Sequence, residues 1–476
     1  MNQDDLNKLS TSGHKRDRAV IAAVQFPGVT DHALEASIAE LSRLCSTLGY
    51  EIVGRVVQKR ATLAPAAVLG EGKLHELAAF TGGDGVVPEG VTLAQKPTDK
   101  ARLKRKALAR EDEPEVDEAE DSEEAEARRA GWVIVDHDIS PSQARNLEHA
   151  CGVPVMDRTG VIVEIFHRHA KSREARLQVE IARLTYMVPR LRVQARASER
   201  QAGQGAGESQ LELDRRKVRD RIAQLRAELA EVIIEQNTRR ARRADARRVA
   251  LVGYTNAGKS SLMRALTGSE VYIADKLFAT LDTTVRTLQP ESTPRILVSD
   301  TVGFISKLPH DLVASFRSTL DEAREASLLL FIVDASDPDF RAQLEVTRTV
   351  ISEIDAGQIE HLLVLNKRDN VFSDAGEFGI AALRREYPDA VFMSAHDKTD
   401  VAALHARLVE YFDRGLEALE VRFPWSAGAL VGEIRQNARV VQESCDEDGY
   451  VMSLLAEPVV ATRLRTQLAA LGGQAT

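Results

Sequence analysis

Residues 248–268 read RVALVGYTNAGKSSLMRALTG. An apolar, strand-like run ends at Gly253, four residues intervene, and Gly258-Lys259-Ser260 opens a stretch with helical spacing. A strand that turns through a glycine-bounded loop into a helix directs several backbone N–H groups, and the positive end of the helix, at one point. This is the P-loop pattern G-x-x-x-x-G-K-S in the strand–turn–helix context it requires. Gly253, Tyr254, Thr255, Asn256, Ala257 and Gly258 are expected to wrap the phosphates of a nucleotide. Lys259 would neutralise the β and γ oxygens and the Ser260 hydroxyl would bind Mg2+, with Ser261 beside them in the first helical turn.

Downstream, three further motifs stand at strand ends. ILVSDTVGFI, residues 296–305, runs into Asp300-Thr301-Val302-Gly303. Asp300 is placed to reach Mg2+ through water, and the Gly303 N–H to sense a γ-phosphate. LLVLNKRD ends in Asn366-Lys367-Arg368-Asp369, and VFMSAHD carries Ser394-Ala395-His396. A carboxylate at 369 can accept both N1–H and the 2-amino group of guanine, a donor pair adenine lacks, so the site should prefer GTP over ATP. A backbone N–H of residues 394–396 is positioned to donate to the guanine O6. The segment DKLFATLDTTVRT, residues 275–287, is switch I by position. One of its threonines, Thr280, Thr283 or Thr284, should bind Mg2+ when GTP is present, and spacing does not choose among them. Phe304 follows Gly303, where a glutamine often orients the attacking water. A phenylalanine cannot do so, which predicts slow intrinsic turnover completed by a partner.

The chain of 476 residues is long enough for about three domains. Its composition, 43% hydrophobic and 28% charged, is that of a soluble globular protein. Cys45, Cys151 and Cys445 have no metal-ligand spacing and suit a reducing compartment. With no signal-peptide core and no apolar run of membrane-spanning length, a cytoplasmic protein is expected, without an integral membrane segment.

Four regions follow from pattern changes. Residues 1–160 alternate strand-like and helical runs and read as an N-terminal α/β subdomain with a mostly parallel sheet. It is interrupted at about 88–128, where seven Lys/Arg in 96–110 precede eleven Asp/Glu in 111–126, a composition that predicts a disordered insertion. LGEGK at 69–73 is too short for a second P-loop and reads as the turn into a helix. Residues 161–247 read as an antiparallel helical hairpin, with helices over 160–193 and 211–247 joined by a flexible tip containing Gly203, Gly205 and Gly207. From Lys171 to Arg248 there are 20 Lys/Arg against 11 Asp/Glu, a local charge of +9 in a chain of net −9, which points to a polyanion. Residues 248–416 form the P-loop GTPase domain and 417–476 a small C-terminal α+β domain. The fold class is thus α/β and multidomain.

The motifs together resemble the HflX family of ribosome-associated GTPases. GYTNAGKS, LFATLD, DTVGFI, KLPH, SFRSTL and NKRD carry the likeness, with DISPSQARNLE, VMDRTGVIVEIFHRHAKSREARLQVEIARLTY and GQGAGESQLELDRR upstream. It covers most of residues 18–345 and is looser over the last sixty. The resemblance implies binding to the large ribosomal subunit and its rRNA, and GTP-dependent dissociation of stalled or idle ribosomes under stress. It places the switch I magnesium ligand on Thr280 within Phe278, Ala279, Thr280, Leu281 and Asp282, and the catalytic set on Lys259, Thr280 and Gly303. Asn256 is similar to the P-loop asparagine of potassium-activated GTPases, which adds K+ to Mg2+ as an expected cation. Gly203, Gly205 and Gly207 become the expected rRNA contact, and the family reading is of a monomer, cytoplasmic or peripherally membrane-associated. The insertion at 88–128 and Thr283, where proline is common, depart from the family pattern. The competing readings are a GTP-gated adaptor for a non-ribosomal partner and an ATP-dependent RNA helicase, the latter opposed by Asp369.

Overall fold

Ala19 to Val24 are buried without alternation, as a strand must be when both faces of its sheet are covered. In the computed structural model, which describes residues 17–87, 129–202, 207–241, 247–268, 278, 284–307, 317–374, 376–470 and 474–475, they form β1 (Arg18–Gln25). The charged insertion at 88–128 lies outside the described residues, as do Gly203, Gly205, Ala279, Thr280, Leu281, Asp282 and Thr283. The chain divides into two units, Met1–Arg168 with Val179–Leu225, and His169–Gln178 with Arg226–Thr476.

In the first unit β1 pairs in parallel with β2 (Glu51–Lys59) and β3 (Trp132–Val135), and β3 with β4 (Val155–Asp157), giving the order β2-β1-β3-β4. Helix α1 (Asp31–Leu48) starts where the Thr30 side chain accepts the Ala33 N–H and ends at Gly49 with φ 91°. Helix α2 (Glu71–Thr81) begins directly after Gly70, so LGEGK is the turn into a helix. Helix α3 (Pro141–Cys151) carries a full capping box between Ser140 and Gln143. Helix α4 (Arg158–His169) brings in an arginine that is 1% exposed. Arg158 is ion-paired to Asp136 at 2.6 Å and to Glu40. Cys45 and Cys151 are buried and unbonded, and burial pushes both thiols up to about 12.

The expected continuous helix over 160–193 is broken. Helix α5 (Arg173–Ala202) restarts after Ser172, whose hydroxyl accepts the Ala175 N–H at 3.1 Å. A serine competes for its own backbone N–H groups and so favours a helix start over a helix interior. The expected loop around the glycines is also shorter than read. Helix α5 runs to Ala202, and α6 (Gly207–Ala241) begins at Gly207 itself.

In the second unit the six-stranded order is β10-β9-β8-β5-β7-β6. The strands are β5 (Arg247–Gly253), β6 (Thr284–Thr287), β7 (Ile296–Asp300), β8 (Leu328–Asp334), β9 (His361–Asn366) and β10 (Val391–Phe392). All pairs are parallel except β6 with β7, an antiparallel edge. The helices are α7 (Lys259–Thr267), α8 (Arg317–Arg324), α9 (Phe340–Glu353), α10 (Arg368–Asp374), α11 (Gly376–Glu386) and α12 (Lys398–Asp413). Val249 and Leu251 of β5 pack with Leu262, Leu266, Leu330 and Leu404, so the core sits directly beneath the P-loop.

After α12 the chain runs β11 (Glu417–Pro424), α13 (Ala429–Asn437), β12 (Ala438–Cys445), β13 (Gly449–Ala456), α14 (Pro458–Ala470) and β14 (Gln474–Ala475). The sheet order β12-β13-β11-β14 is the split β-α-β-β-α-β arrangement. No helix among the described residues is long and apolar enough to cross a membrane.

Candidate functional site

The carboxyl ends of β5, β7, β8 and β9 form one rim, the position at which open α/β sheets bind ligands. Gly253–Ser261, Asp300–Gly303, Asn366–Asp369 and Ser394–His396 stand on or beside that rim. β5 delivers Gly253, and α7 opens with Lys259, Ser260 and Ser261 after Gly258 at φ 93°. A Cβ on Gly258 would also lie 2.2 Å from the Asn366 side chain, so this turn accepts only glycine. Asn256 forms the exposed apex at φ 61° and has no side-chain partner among the described residues.

Lys259 is 5% exposed, and its Nζ donates to the carbonyls of Gly253 at 3.0 Å and Tyr254 at 2.7 Å. Ser260 Oγ donates to Asp300 Oδ2 at 2.7 Å, across the gap between α7 and β7. Two hard oxygen donors meeting there suit Mg2+, with nucleotide oxygens completing its shell. Among the described residues no group of three or more His, Cys, Asp or Glu could hold a metal alone. Thr301 Oγ1 donates to the Leu251 carbonyl at 2.7 Å, and Val302 is buried. Of the three switch I threonines only Thr284 is described, and it is a strand residue paired with Asp300. Phe278, the one described residue of 275–283, is buried at φ 58°.

The base side is braced from the same rim. Asn366 Nδ2 donates to the Ala257 carbonyl at 2.9 Å, tying β9 to the P-loop, and its Oδ1 accepts the Ala395 N–H at 3.0 Å. Lys367 Nζ pairs with Asp334 at 2.8 Å, and Arg368 with Asp400 at 2.9 Å and Asp397 at 3.2 Å. Asp369 is exposed and has no partner among the described residues. The Ser394 N–H donates to Asp400 and the His396 N–H to Ser394 Oγ, so all three main-chain donors of residues 394–396 are satisfied internally. Any contact with a guanine O6 must exchange one of them.

Phe304 is 2% exposed, and its main chain bridges back to the P-loop: its N–H donates to Gly253 O at 3.1 Å and its carbonyl accepts the Thr255 N–H at 2.8 Å. The ring therefore packs in the interior. Sequence reasoning missed Asp334 and Asp400. Asp334 had a usable signal, a carboxylate closing the apolar run LLLFIVD of a central strand, whereas Asp400 had none.

A curated relative, GTPase HflX of Gluconacetobacter diazotrophicus, is 56% identical over 455 residues, 95% of this chain and 98% of its own. The chain belongs to the HflX family of GTPases. GTPase HflX of Escherichia coli K12 is 41% identical, over 72% of this chain and 81% of its own. The families described as GTP-binding GTPase N-terminal, GTP-binding GTPase Middle Region and 50S ribosome-binding GTPase match residues 35–91 with 113–167, 169–243 and 248–367. A solved GTP-binding protein of Sulfolobus solfataricus in complex with GDP is 20% identical with a TM-score of 0.39, covering 82% of this chain and 99% of its own. As an HflX-type protein this chain binds GTP and GDP and is a GTP hydrolase.

Burial of Lys259 lowers its ammonium from 10.5 to about 8, with Asp300 pulling the other way. The folded value lies below the unfolded one, so burying the charged form opposes folding fully below about pH 8. That opposition is relieved as pH rises from about 8 towards 10.5. Nucleotide phosphates restore the charge, so GDP binding should take up a proton above pH 8 and none near neutrality. Calorimetry in buffers of different ionisation enthalpy measures this, and pH-independent proton uptake would contradict it.

Proposed function

We propose that this GTPase binds the large ribosomal subunit and couples GTP binding and hydrolysis to the dissociation or rescue of ribosomes under stress. The observation that carries the reading is the match of residues 248–367 to the family described as 50S ribosome-binding GTPase. The exposed Arg216, Lys217, Arg219 and Arg221 of α6 support it, since clustered basic charge gives salt-sensitive affinity for rRNA phosphates. The four regions 1–160, 161–247, 248–416 and 417–476 would act as N-terminal subdomain, hairpin, GTPase domain and C-terminal domain, with Gly203, Gly205 and Gly207 approaching rRNA.

Within the nucleotide site, Gly253–Ser261 hold the phosphates, Lys259 neutralises them, Gly303 donates to the γ-phosphate and Asp369 reads guanine. Ser260, which meets Asp300, and Thr280 would hold Mg2+, and the ion would supply positive charge to the nucleotide phosphates. Phe304 offers no group to orient water, so intrinsic turnover is slow and the ribosome completes the site. Asn256, exposed at the P-loop apex, is the residue through which K+ would act.

Steady-state GTP turnover of the full chain, with and without large subunits and in K+ against Na+, tests the reading. Stimulation of at least about 100-fold by subunits is expected, the scale on which a positioned catalytic group acts. No stimulation despite tight GTP binding would favour the adaptor. Equal rates in K+ and Na+ would remove the K+ role.

A further inference from the structure

The β5–β7 ladder pairs Leu251 with Asp300, and the chain then leaves it for Thr301, Val302 and Gly303. It returns at Phe304, which forms an isolated parallel bridge to Tyr254. Beyond that bridge the Ser306 N–H donates to Tyr254 Oη at 2.6 Å. Tyr254 is 8% exposed, so its ring is committed to the protein and only its main chain remains on the phosphate side. The Asp300–Gly303 excursion is thus pinned at both ends. Thr301 Oγ1 on the Leu251 carbonyl holds one end; the Phe304 main chain and the Ser306 N–H hold the other.

The pinning leaves Gly303 little room. A Cβ built there would lie 2.9 Å from Thr255 Cα and 3.1 Å from Lys259 Nζ. Where a water-orienting side chain is present, the main chain after Gly303 can move and the side chain can still find the water. Here residue 304 has no such group, so alignment depends on where the backbone is held.

We propose that Tyr254 is a positioning residue for GTP hydrolysis: by accepting the Ser306 N–H, its hydroxyl holds the segment after Gly303 against the P-loop and keeps Gly303 close to Thr255 and Lys259. A phenylalanine at 254 keeps the ring and its packing but cannot accept that bond. The inference rests on the GTPase activity alone and is independent of any ribosomal role.

The test is Tyr254→Phe in the full chain, without ribosomes, read by single-turnover GTP hydrolysis, GDP affinity and hydrogen exchange at residues 304–306. Hydrolysis should slow about 5- to 10-fold, the scale of one main-chain hydrogen bond, with GDP affinity unchanged and the Ser306 amide exchanging faster. An unchanged rate overturns the proposal. A faster rate also overturns it, since the bond would then restrain the segment. So does a loss of GDP affinity parallel to the loss of rate, since Tyr254 would then only shape the P-loop.

Discussion

Asp369→Asn should lower GTP affinity by roughly 10⁴-fold and raise affinity for xanthosine triphosphate, the scale seen when a hydrogen-bonding site meets a mismatched partner. A carboxylate accepts two N–H bonds from guanine, N1–H and the 2-amino group. An asparagine sets its own NH2 against that amino group, whereas xanthine offers an oxygen at the same place. The structure makes the substitution clean. Asp369 is exposed and has no side-chain partner among the described residues, so the fold loses only the small favourable charge at the start of α10. Its neighbours stay braced, Lys367 on Asp334 and Arg368 on Asp400. Competition of GTP and xanthosine triphosphate against a fluorescent GDP measures the exchange. Retained GTP affinity would mean that Asp369 does not read the base.

Gly303→Ala should slow hydrolysis on the order of 100-fold, as loss of one preorganised donor does, while GDP still binds. The added methyl would sit 2.8 Å from the Thr255 side chain and 2.9 Å from its Cα, distances that real Cβ contacts do not show. The Thr255 side chain can rotate away, but its backbone cannot, because the Thr255 N–H is bonded to Phe304 O. Residue 303 must therefore shift away from Thr255, and its N–H shifts with it. The remaining P-loop amides are untouched, which separates the loss of rate from a loss of binding. Single-turnover hydrolysis beside GDP affinity makes the comparison, and a parallel fall in both would show that the methyl distorts the P-loop itself.

Much of the nucleotide site was legible because its parts are local. A glycine-bounded turn between an apolar strand and a helix is a contiguous signal, and so is an Asp or Asn closing an apolar run. These place Gly253–Ser261, Asp300–Gly303 and Asn366–Asp369 on one rim once a parallel sheet is assumed. One helix start was legible for the same reason: LGEGK was read as the turn into a helix, and Gly70 precedes α2. Long charged helices were less so. The break at Ser172 interrupts a run whose spacing stays helical on both sides, and the glycines near 205 suggested more loop than the helix beginning at Gly207 leaves. The N-terminus of a helix tolerates glycine, so a glycine cluster marks a turn without giving its length.

By itself the sequence determined the order of the motifs, the parallel sheet within residues 1–160, and the absence of any hydrogen-bonding group at Phe304. Only the tertiary structure decided which distant groups meet. The Tyr254 hydroxyl lies 52 positions from the amide it accepts, and Asn366 lies 109 from the carbonyl it binds in the P-loop. Arg158 is buried against Glu40, 118 positions away. Such pairs are brought together by strand order and crossover, and strand order is set by which apolar faces bury each other across the whole domain. Periodicity and spacing report the conformation of one segment at a time, so they locate the groups of this site without saying which of them hold one another in place.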